Sequence, residues 1–158
     1  MKKWFFLLLS HALFLALGFI AGVYYLPILI APDAPTSEQV LAVADRAPYT
    51  GYFDKELTDS DGLHWGEGNV FVGSEQIAFH GLLSPGPDYK LYLSPQFLET
   101  EAEFHRLKSS MVRVGNVDTF ENFILNIPHD VDINQYNSLI IWCEAFEQFI
   151  TAAQFRES

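Results

Sequence analysis

The segment Tyr136-Asn-Ser-Leu-Ile-Ile-Trp-Cys-Glu-Ala-Phe146 decides the fold class of this chain. Successive side chains point to opposite faces of a β-strand, and residues 139–143 are apolar on both faces. Such a run predicts a central strand that is covered on both sides. The same run holds Cys143, which is the only cysteine of the chain, so an internal disulfide is excluded.

Further apolar runs lie on both sides of this segment, from Tyr49 onward. Gly, Pro, Asn and Asp separate them at intervals of about ten residues, which is typical of a β-sandwich or barrel. The alternation in Tyr89–Ser94 predicts a half-buried strand, whereas residues 99–108 fit either a strand or a helical turn. We therefore expect an all-β fold, an antiparallel β-sandwich of about eight strands, over residues 49–158. The predicted strands are 49–54, 68–72, 76–82, 89–94, 111–116, 122–127, 139–143 and 150–155.

The N-terminus predicts one transmembrane helix within residues 1–31. Lys2 and Lys3 precede an apolar segment, residues 4–31, that contains no Asp, Glu, Lys or Arg. A membrane span needs roughly 20 apolar residues, and a cleaved signal has an apolar core of about 7–15, so an uncleaved signal anchor is favoured and cleavage is the alternative. The two lysines place the N-terminus in the cytoplasm and the following domain outside the cell membrane, in the periplasm or extracellular space. Residues 32–48 are interpreted as an extracytoplasmic linker.

The charge of the chain limits its partners. Without the two N-terminal lysines, seven basic residues oppose 20 acidic ones, which gives the exported part a net charge of −13. No basic patch is available for phosphates, so nucleic-acid binding is excluded, and membrane contact is expected only through residues 4–31. No hydrolase motif, phosphate loop or metal-ligand spacing occurs, and the sequence leaves open whether the protein is an enzyme.

Several short motifs occur in order along residues 49–155. They are Gly51-Tyr-Phe, His64 with Gly66 or Gly68 and Val70, Gly86-Pro-Asp-Tyr-Lys-Leu-Tyr-Leu-Ser94, Ile127-Pro128, Asp132, Tyr136, Ile141-Trp-Cys-Glu-Ala-Phe146, and Phe149 with Ala152-Ala153. Together these motifs resemble the electron-transfer DM-thirteen (DM13) domain family. The resemblance implies a β-sandwich related to extracytoplasmic electron-transfer modules. It also implies that Cys143, at a position where the family has a near-universal cysteine, is a redox thiol or holds a prosthetic group such as haem.

The residues around Cys143 leave two interpretations open. Its apolar neighbours favour a core cysteine with a raised pKa and little reactivity. A redox thiol or cofactor ligand would need a cation, a metal or an imidazole nearby, and the local sequence supplies only the acidic Glu144. His64 is the candidate second ligand because the resemblance reaches it. The other potential ligands are His80, His105, His129 and Met111, and no haem-attachment motif is present.

The alternative function is a non-enzymatic binding or scaffold domain outside the cell. In that interpretation Cys143 and Trp142 belong only to the core. A surface around Tyr89, Tyr92 and Tyr136 would then bind a protein or a small ligand. An electron-transfer domain would instead need a redox partner, which the sequence does not identify.

Overall fold

The computed structural model describes residues 2–157 as a long apolar helix, two short helices and eight β-strands in two sheets. Every strand predicted from the apolar runs is present, with ends that differ from the expected ones by no more than two residues. Two short 3₁₀ turns, 108–110 and 133–135, complete the fold. The helices are α1 (Lys2–Ile30), α2 (Ser37–Ala44) and α3 (Glu101–Leu107), and the strands are β1 (Tyr49–Phe53), β2 (Gly66–Val72), β3 (Gln76–Leu83), β4 (Tyr89–Ser94), β5 (Val112–Val117), β6 (Phe123–Asn126), β7 (Ser138–Cys143) and β8 (Gln148–Gln154).

The eight strands form the predicted antiparallel β-sandwich. One sheet has the order β1-β2-β3-β6 and the other has the order β5-β4-β7-β8, with antiparallel pairing throughout. The space between them is filled by the larger of the hydrophobic clusters, which includes Phe53, Phe79, Leu91 and Ile141. The sheets also approach at their edges, where a Cβ on Gly51 of β1 would come within 2.9 Å of the Gln154 carbonyl oxygen at the end of β8.

Strand connectivity gives the sandwich two different ends. The odd-numbered strands run in one direction and the even-numbered strands run in the opposite direction. The four connections that follow an odd-numbered strand therefore lie at the same end. We call this the loop end. The loops are 54–65, 84–88, 118–122 and 144–147. Cys143 is the last residue of β7, so it lies at the loop end.

The predicted central strand is confirmed. All six residues of β7 are buried, and the strand pairs with β4 on one side and β8 on the other. One face of β7 meets the other sheet. The opposite face is covered by α3, whose Phe104 ring stacks on Trp142 with ring centroids 3.9 Å apart and an angle of 7° between the planes.

Helix α3 also explains why the expectation of a half-buried β4 is wrong. All six residues of β4 are buried, because the face that was expected to meet water packs against Phe104 and Leu98. Residues 99–108 are mainly helical rather than extended, with the Thr100 hydroxyl accepting a hydrogen bond from the Glu103 backbone N–H as an N-cap. Tyr92 is therefore buried under α3, and Tyr89 is buried on the opposite face of β4, in the core between the sheets, so neither ring forms the exposed binding surface considered for a scaffold domain.

The segment interpreted as a linker contains α2, which packs on the outer face of the first sheet. A capping box at Thr36 begins this helix, and Val40 and Val43 are buried against Ala78 of β3. The helix carries only two buried apolar side chains, which is why its sequence predicts a helix only weakly. The domain boundary at residue 49 stays a prediction.

Helix α1 is long and apolar enough to cross a membrane, a property that a signal sequence shares. Its 29 residues extend over roughly 44 Å at 1.5 Å per residue, more than the hydrocarbon core of a bilayer. No residue of α1 is buried. In water such a helix would leave a large apolar surface uncovered, whereas lipid would solvate it.

Candidate functional site

Two of the family-like motifs meet at the loop end, although 56 residues separate them in the chain. The thiol of Cys143 donates a hydrogen bond to the carbonyl oxygen of Pro87, with 2.9 Å between sulfur and oxygen. The backbone N–H of Glu144 donates to the carbonyl oxygen of Asp88 at 3.1 Å. The Gly-Pro-Asp segment and the Trp-Cys segment are therefore parts of one site.

The backbone of the Gly-Pro-Asp segment requires its particular residues. A Cβ at Gly86 would come within 2.7 Å of the Tyr89 ring, so no larger residue fits without movement. Asp88 has a φ of 59°, in the left-handed region that Asp and Asn tolerate better than other side chains with a Cβ. Pro87 lies between them and exposes its carbonyl oxygen to the thiol.

The surroundings of Cys143 favour the protonated thiol. Burial raises the pKa of Cys143, and the negative charges of Asp88 and Glu144 raise it further. The backbone N–H groups of Phe146 and Ala145 act in the opposite direction without reversing the shift. A thiolate is the reactive form of cysteine, so Cys143 is a weak nucleophile at neutral pH as long as this environment is intact.

Cys143 lines an apolar groove of about 590 Å³, which we call the Cys143 groove. On the domain side its walls also include Leu63, His64, residues 85–87 and Phe146. Side chains of α1 between residues 17 and 25 form the opposite wall. The Cys143 residue is only 2% exposed, so the groove reaches this residue but exposes little of it.

His64, the candidate second ligand, lines the same groove as Cys143. Its Nδ1 lies 3.1 Å from Oδ2 of Asp61, and Oδ1 of Asp61 accepts hydrogen bonds from the backbone N–H groups of Leu63 and His64 at 2.7 and 2.8 Å. These hydrogen bonds lower the pKa of Asp61, and the bond from the Leu63 N–H has the largest effect. Burial acts in the opposite direction. A carboxylate on one imidazole nitrogen orients the ring and leaves the other nitrogen for a ligand.

The other candidate ligands lie elsewhere. His80 contacts the Ser37 hydroxyl at 3.0 Å on the α2 side of the sandwich. His105 belongs to α3, and the centroid of its ring lies 5.3 Å from that of Trp142. His129 lies in the 127–137 connection, at the end opposite the loop end. Met111 packs into the aromatic cluster under α3. Of these potential ligands, the fold brings only His64 to Cys143.

The groove residues are a poor fit to haem. Cys143 would have to lose its proton to bind haem iron as a thiolate. Burial and two nearby carboxylates oppose this loss, because they raise the pKa of Cys143. All groove-lining residues are among those described, and none is a lysine or an arginine that could pair with a haem propionate. Among residues 2–157, no three His, Cys, Asp or Glu side chains form a group suited to a metal ion.

Sequence reasoning missed a polar cluster on the other side of the second sheet. The Tyr92 hydroxyl donates to a carboxylate oxygen of Glu144, and the Lys108 Nζ lies 3.0 Å from the other carboxylate oxygen. Burial alone would raise the pKa of Glu144, but the hydrogen bonds from Tyr92 and Lys108 and the lysine charge together lower it. The only signal in the sequence was the outward alternation of Tyr92 in β4, which does not identify a partner 52 residues away.

The electron transfer DM13 family model matches residues 56–155. The chain belongs to this family. The match covers the strands from β2 onward and includes both segments that meet at Cys143. Neither the curated proteins nor the solved structures contain a significant match to the chain.

Proposed function

We propose that this DM13 protein is a membrane-anchored, extracytoplasmic electron-transfer module in which Cys143 is the redox residue. Family membership supports the electron-transfer role. The observation that carries the site is the contact between Cys143 and Pro87, because it joins the two motif segments beside a groove that His64 also lines. His64 is proposed as the residue that binds or positions whatever enters the groove.

A redox role for a single cysteine requires a second reacting atom from another molecule. We propose thiol–disulfide exchange. The Cys143 thiolate attacks one sulfur of a partner disulfide, a mixed disulfide forms, and the other partner sulfur leaves as a thiolate. The thiol proton goes to water. Because the resting thiol is buried and protonated, the partner has to open the groove before the reaction.

The anchor and its orientation are part of this proposal. Helix α1 would span the membrane with Lys2 and Lys3 in the cytoplasm, which places residues 32–158 outside. The small-x-small sequence Ala42-Val43-Ala44 lies too far beyond the apolar segment to be a typical signal-cleavage site, which supports an uncleaved anchor. A full-length protein that fractionates as soluble and begins near Asp45 would contradict the anchor.

The competing function is a binding or scaffold domain in which Cys143 only fills the core. Its burial, its raised pKa and its hydrogen bond to Pro87 favour this second candidate. The two functions differ in what the folded thiol does. We therefore test the thiol in the folded full-length chain.

The test follows the reaction of detergent-solubilised full-length protein with an aromatic disulfide. The redox function predicts a reaction with folded protein at a rate that increases with pH, because the thiolate is the reacting form. Phe146→Ala should accelerate it by widening the groove. Tyr52→Ala is the control, because both rings are 50% exposed and only Phe146 lines the groove. A thiol that stays inert in both variants until urea unfolds the domain would support the scaffold function instead.

A second comparison tests His64. Loss of the imidazole should reduce binding or exchange with a disulfide that enters the groove, so His64→Ala is expected to slow the reaction. His80→Ala is its matched control, because His80 contacts Ser37 outside the groove. Equal rates for the two variants would remove His64 from the site.

A further inference from the structure

The loop end carries exposed apolar side chains near the Cys143 groove. Leu63 is 60% exposed and Phe146 is 50% exposed, and both belong to loops that line the groove. Residues 85–87 contribute two prolines between them. Exposed apolar residues that cluster at one end of a domain indicate a contact surface.

The chain leaves α1 at this same end. The Asn122 side chain, in the 118–122 loop, donates a hydrogen bond to the Pro35 carbonyl oxygen at 3.0 Å, which fixes Pro35 to the loop end. Only residues 31–34 lie between this point and the last residue of α1, Ile30. An extended chain covers at most about 18 Å over five residue steps. If α1 spans a bilayer, the loop end therefore stays close to the membrane surface.

Helix α2 prevents the domain from turning over on this tether. It begins at Ser37, whose hydroxyl contacts the His80 ring at 3.0 Å, and its buried Val40 and Val43 pack along the first sheet. Its C-terminal end lies beside residues 73–76, which form the turn at the opposite end of the sandwich. The direction of the domain relative to its tether is therefore set by packing and not by a flexible linker.

An apolar segment already occupies this surface. Side chains of α1 between residues 17 and 25 lie against the groove, and residues 26–32 lie against residues 86–88 and 117–120. A span that starts at Trp4 and takes roughly 20 residues ends near residue 23, so residues 17–23 of α1 are surrounded by lipid and cannot also cover loops that carry Asp61 and Asp88. In the membrane, these α1 side chains therefore no longer cover the groove residues of the domain. Another apolar surface can then contact those residues.

We propose that the loop end docks on the surface of the bilayer, with Leu63 and Phe146 in the headgroup region and the Cys143 groove open toward the lipid. This inference rests on the proposed membrane anchor. The short tether makes docking intramolecular, so two apolar side chains are enough for a weak but well-populated contact. The proposed lipid is zwitterionic, because the acidic loop end is repelled by anionic lipid. Its loops carry one lysine, Lys55, and nine carboxylates: Asp54, Glu56, Asp59, Asp61, Asp88, Asp118, Glu121, Glu144 and Glu147.

The test uses the full-length chain in phosphatidylcholine nanodiscs that contain brominated lipid as a fluorescence quencher. Cys143→Ser removes the native thiol, and a fluorescent label is attached at Ala145→Cys on the loop end. Ser74→Cys at the opposite end is the control, and Leu15→Cys reports the middle of α1. We expect quenching at position 145 to be at least threefold stronger than at position 74.

The probes separate the two claims. Strong quenching at position 15 with equal quenching at positions 145 and 74 would overturn docking while the anchor stands. Weak quenching at position 15 would instead overturn the anchor, and with it the basis of the docking.

Substitutions identify the docking side chains. Leu63→Gln and Phe146→Gln should each reduce quenching of the label at position 145, whereas Leu41→Gln, at a 51% exposed position on α2, should not. Anionic lipid in place of half the phosphatidylcholine should also reduce it. Quenching that is unaffected by both loop-end substitutions, or that increases with anionic lipid, would overturn the proposed surface.

Discussion

Trp142 and Cys143 are consecutive residues of β7, yet they face opposite sides of the same sheet, and the two sides are closed in different ways. On the Trp142 side, α3 covers the sheet with a stacked aromatic pair and leaves Trp142 fully buried. On the Cys143 side, β7 faces the core between the two sheets, and loops and an apolar groove surround the thiol only at the end of the strand. We call these the helix side and the groove side. We infer that the helix side contributes mainly to stability, because a packed helix covers it. The groove side is expected to open to a partner, because loops cover it.

The largest expected difference between the two sides is in stability. Phe104→Ala removes the ring that stacks on Trp142, so we expect the free energy of unfolding to fall by about 3–5 kcal/mol. On the groove side, Phe146→Ala removes a half-exposed ring and should change it by no more than about 0.5 kcal/mol. Urea denaturation of the full-length protein in detergent, followed by tryptophan fluorescence, measures both. Similar losses in the two variants would contradict this comparison.

The next effect concerns alkaline pH on the helix side. Burial raises the pKa of Tyr92, and the hydrogen bond to Glu144 raises it further, so the folded domain retains the phenol proton above the ordinary pKa near 10. The resulting stabilisation is complete below about pH 10 and is lost as pH rises toward the folded value. Tyr92→Phe should cost about 1 kcal/mol at pH 7 and make stability fall less steeply above pH 10.

The control for this prediction is Tyr52→Phe, at a half-exposed position without that hydrogen bond. Unfolding free energies measured from pH 8 to pH 12 compare the two variants with the parent protein. Tyr89 is also buried with a raised pKa, so part of the alkaline loss persists in Tyr92→Phe. Identical pH profiles for Tyr92→Phe and the parent protein would show that ionisation of Tyr92 does not contribute to the loss of stability at alkaline pH.

On the groove side, a smaller effect is expected on the reactivity of the thiol. Asp88→Asn removes a charge that raises the pKa of Cys143, and asparagine tolerates the positive φ at this position. It also frees Lys90, which pairs with Asp88. We expect the folded thiol to react with an aromatic disulfide about two- to fivefold faster at pH 8, because more of it is thiolate. Asp130→Asn, at the opposite end, is the control and should leave the rate unchanged.

The smallest effect should come from the ion pair at the edge of the helix side. Lys108 and Glu144 are 42% and 26% exposed, so solvent screens the pair, and Lys108→Gln should cost about 0.5 kcal/mol at low salt and less at high salt. Lys55→Gln breaks a pair that is 47% and 44% exposed and should cost no more. A loss above 2 kcal/mol for Lys108→Gln would show that the Tyr92–Glu144–Lys108 cluster is a structural centre.

Several parts of the fold could be predicted because they depend on local patterns. The apolar run 139–143 predicted a doubly covered strand, and β7 is buried on both faces. The alternation in residues 89–94 was misleading, since α3 covers the polar face of β4 and buries Tyr92. Burial of that face depends on a helix that begins seven residues after β4 ends, a contact that no strand pattern encodes.

The candidate site could be predicted only as a set of separate residues. Cys143 stands out as the only thiol of the chain and His64 is reached by the family resemblance, but their common groove appears only when β7 and the 54–65 loop meet at the loop end. The role of Pro87 could not be predicted, because its contribution is a backbone carbonyl oxygen that any residue type carries. Leu63 and Phe146 could not be distinguished from core residues by composition.

By itself, the sequence determined the class of the domain, its acidity, its single thiol and an N-terminal segment that is apolar enough for a membrane. These properties follow from composition and from apolar residues that repeat about every two or four positions. A short stretch of sequence is enough to show both. Only the tertiary structure decided that Trp142 is sealed under α3, that Cys143 donates a hydrogen bond to Pro87, and that the chain leaves α1 at the end where the thiol lies. Those facts depend on antiparallel pairing and helix packing, which join residues far apart in sequence.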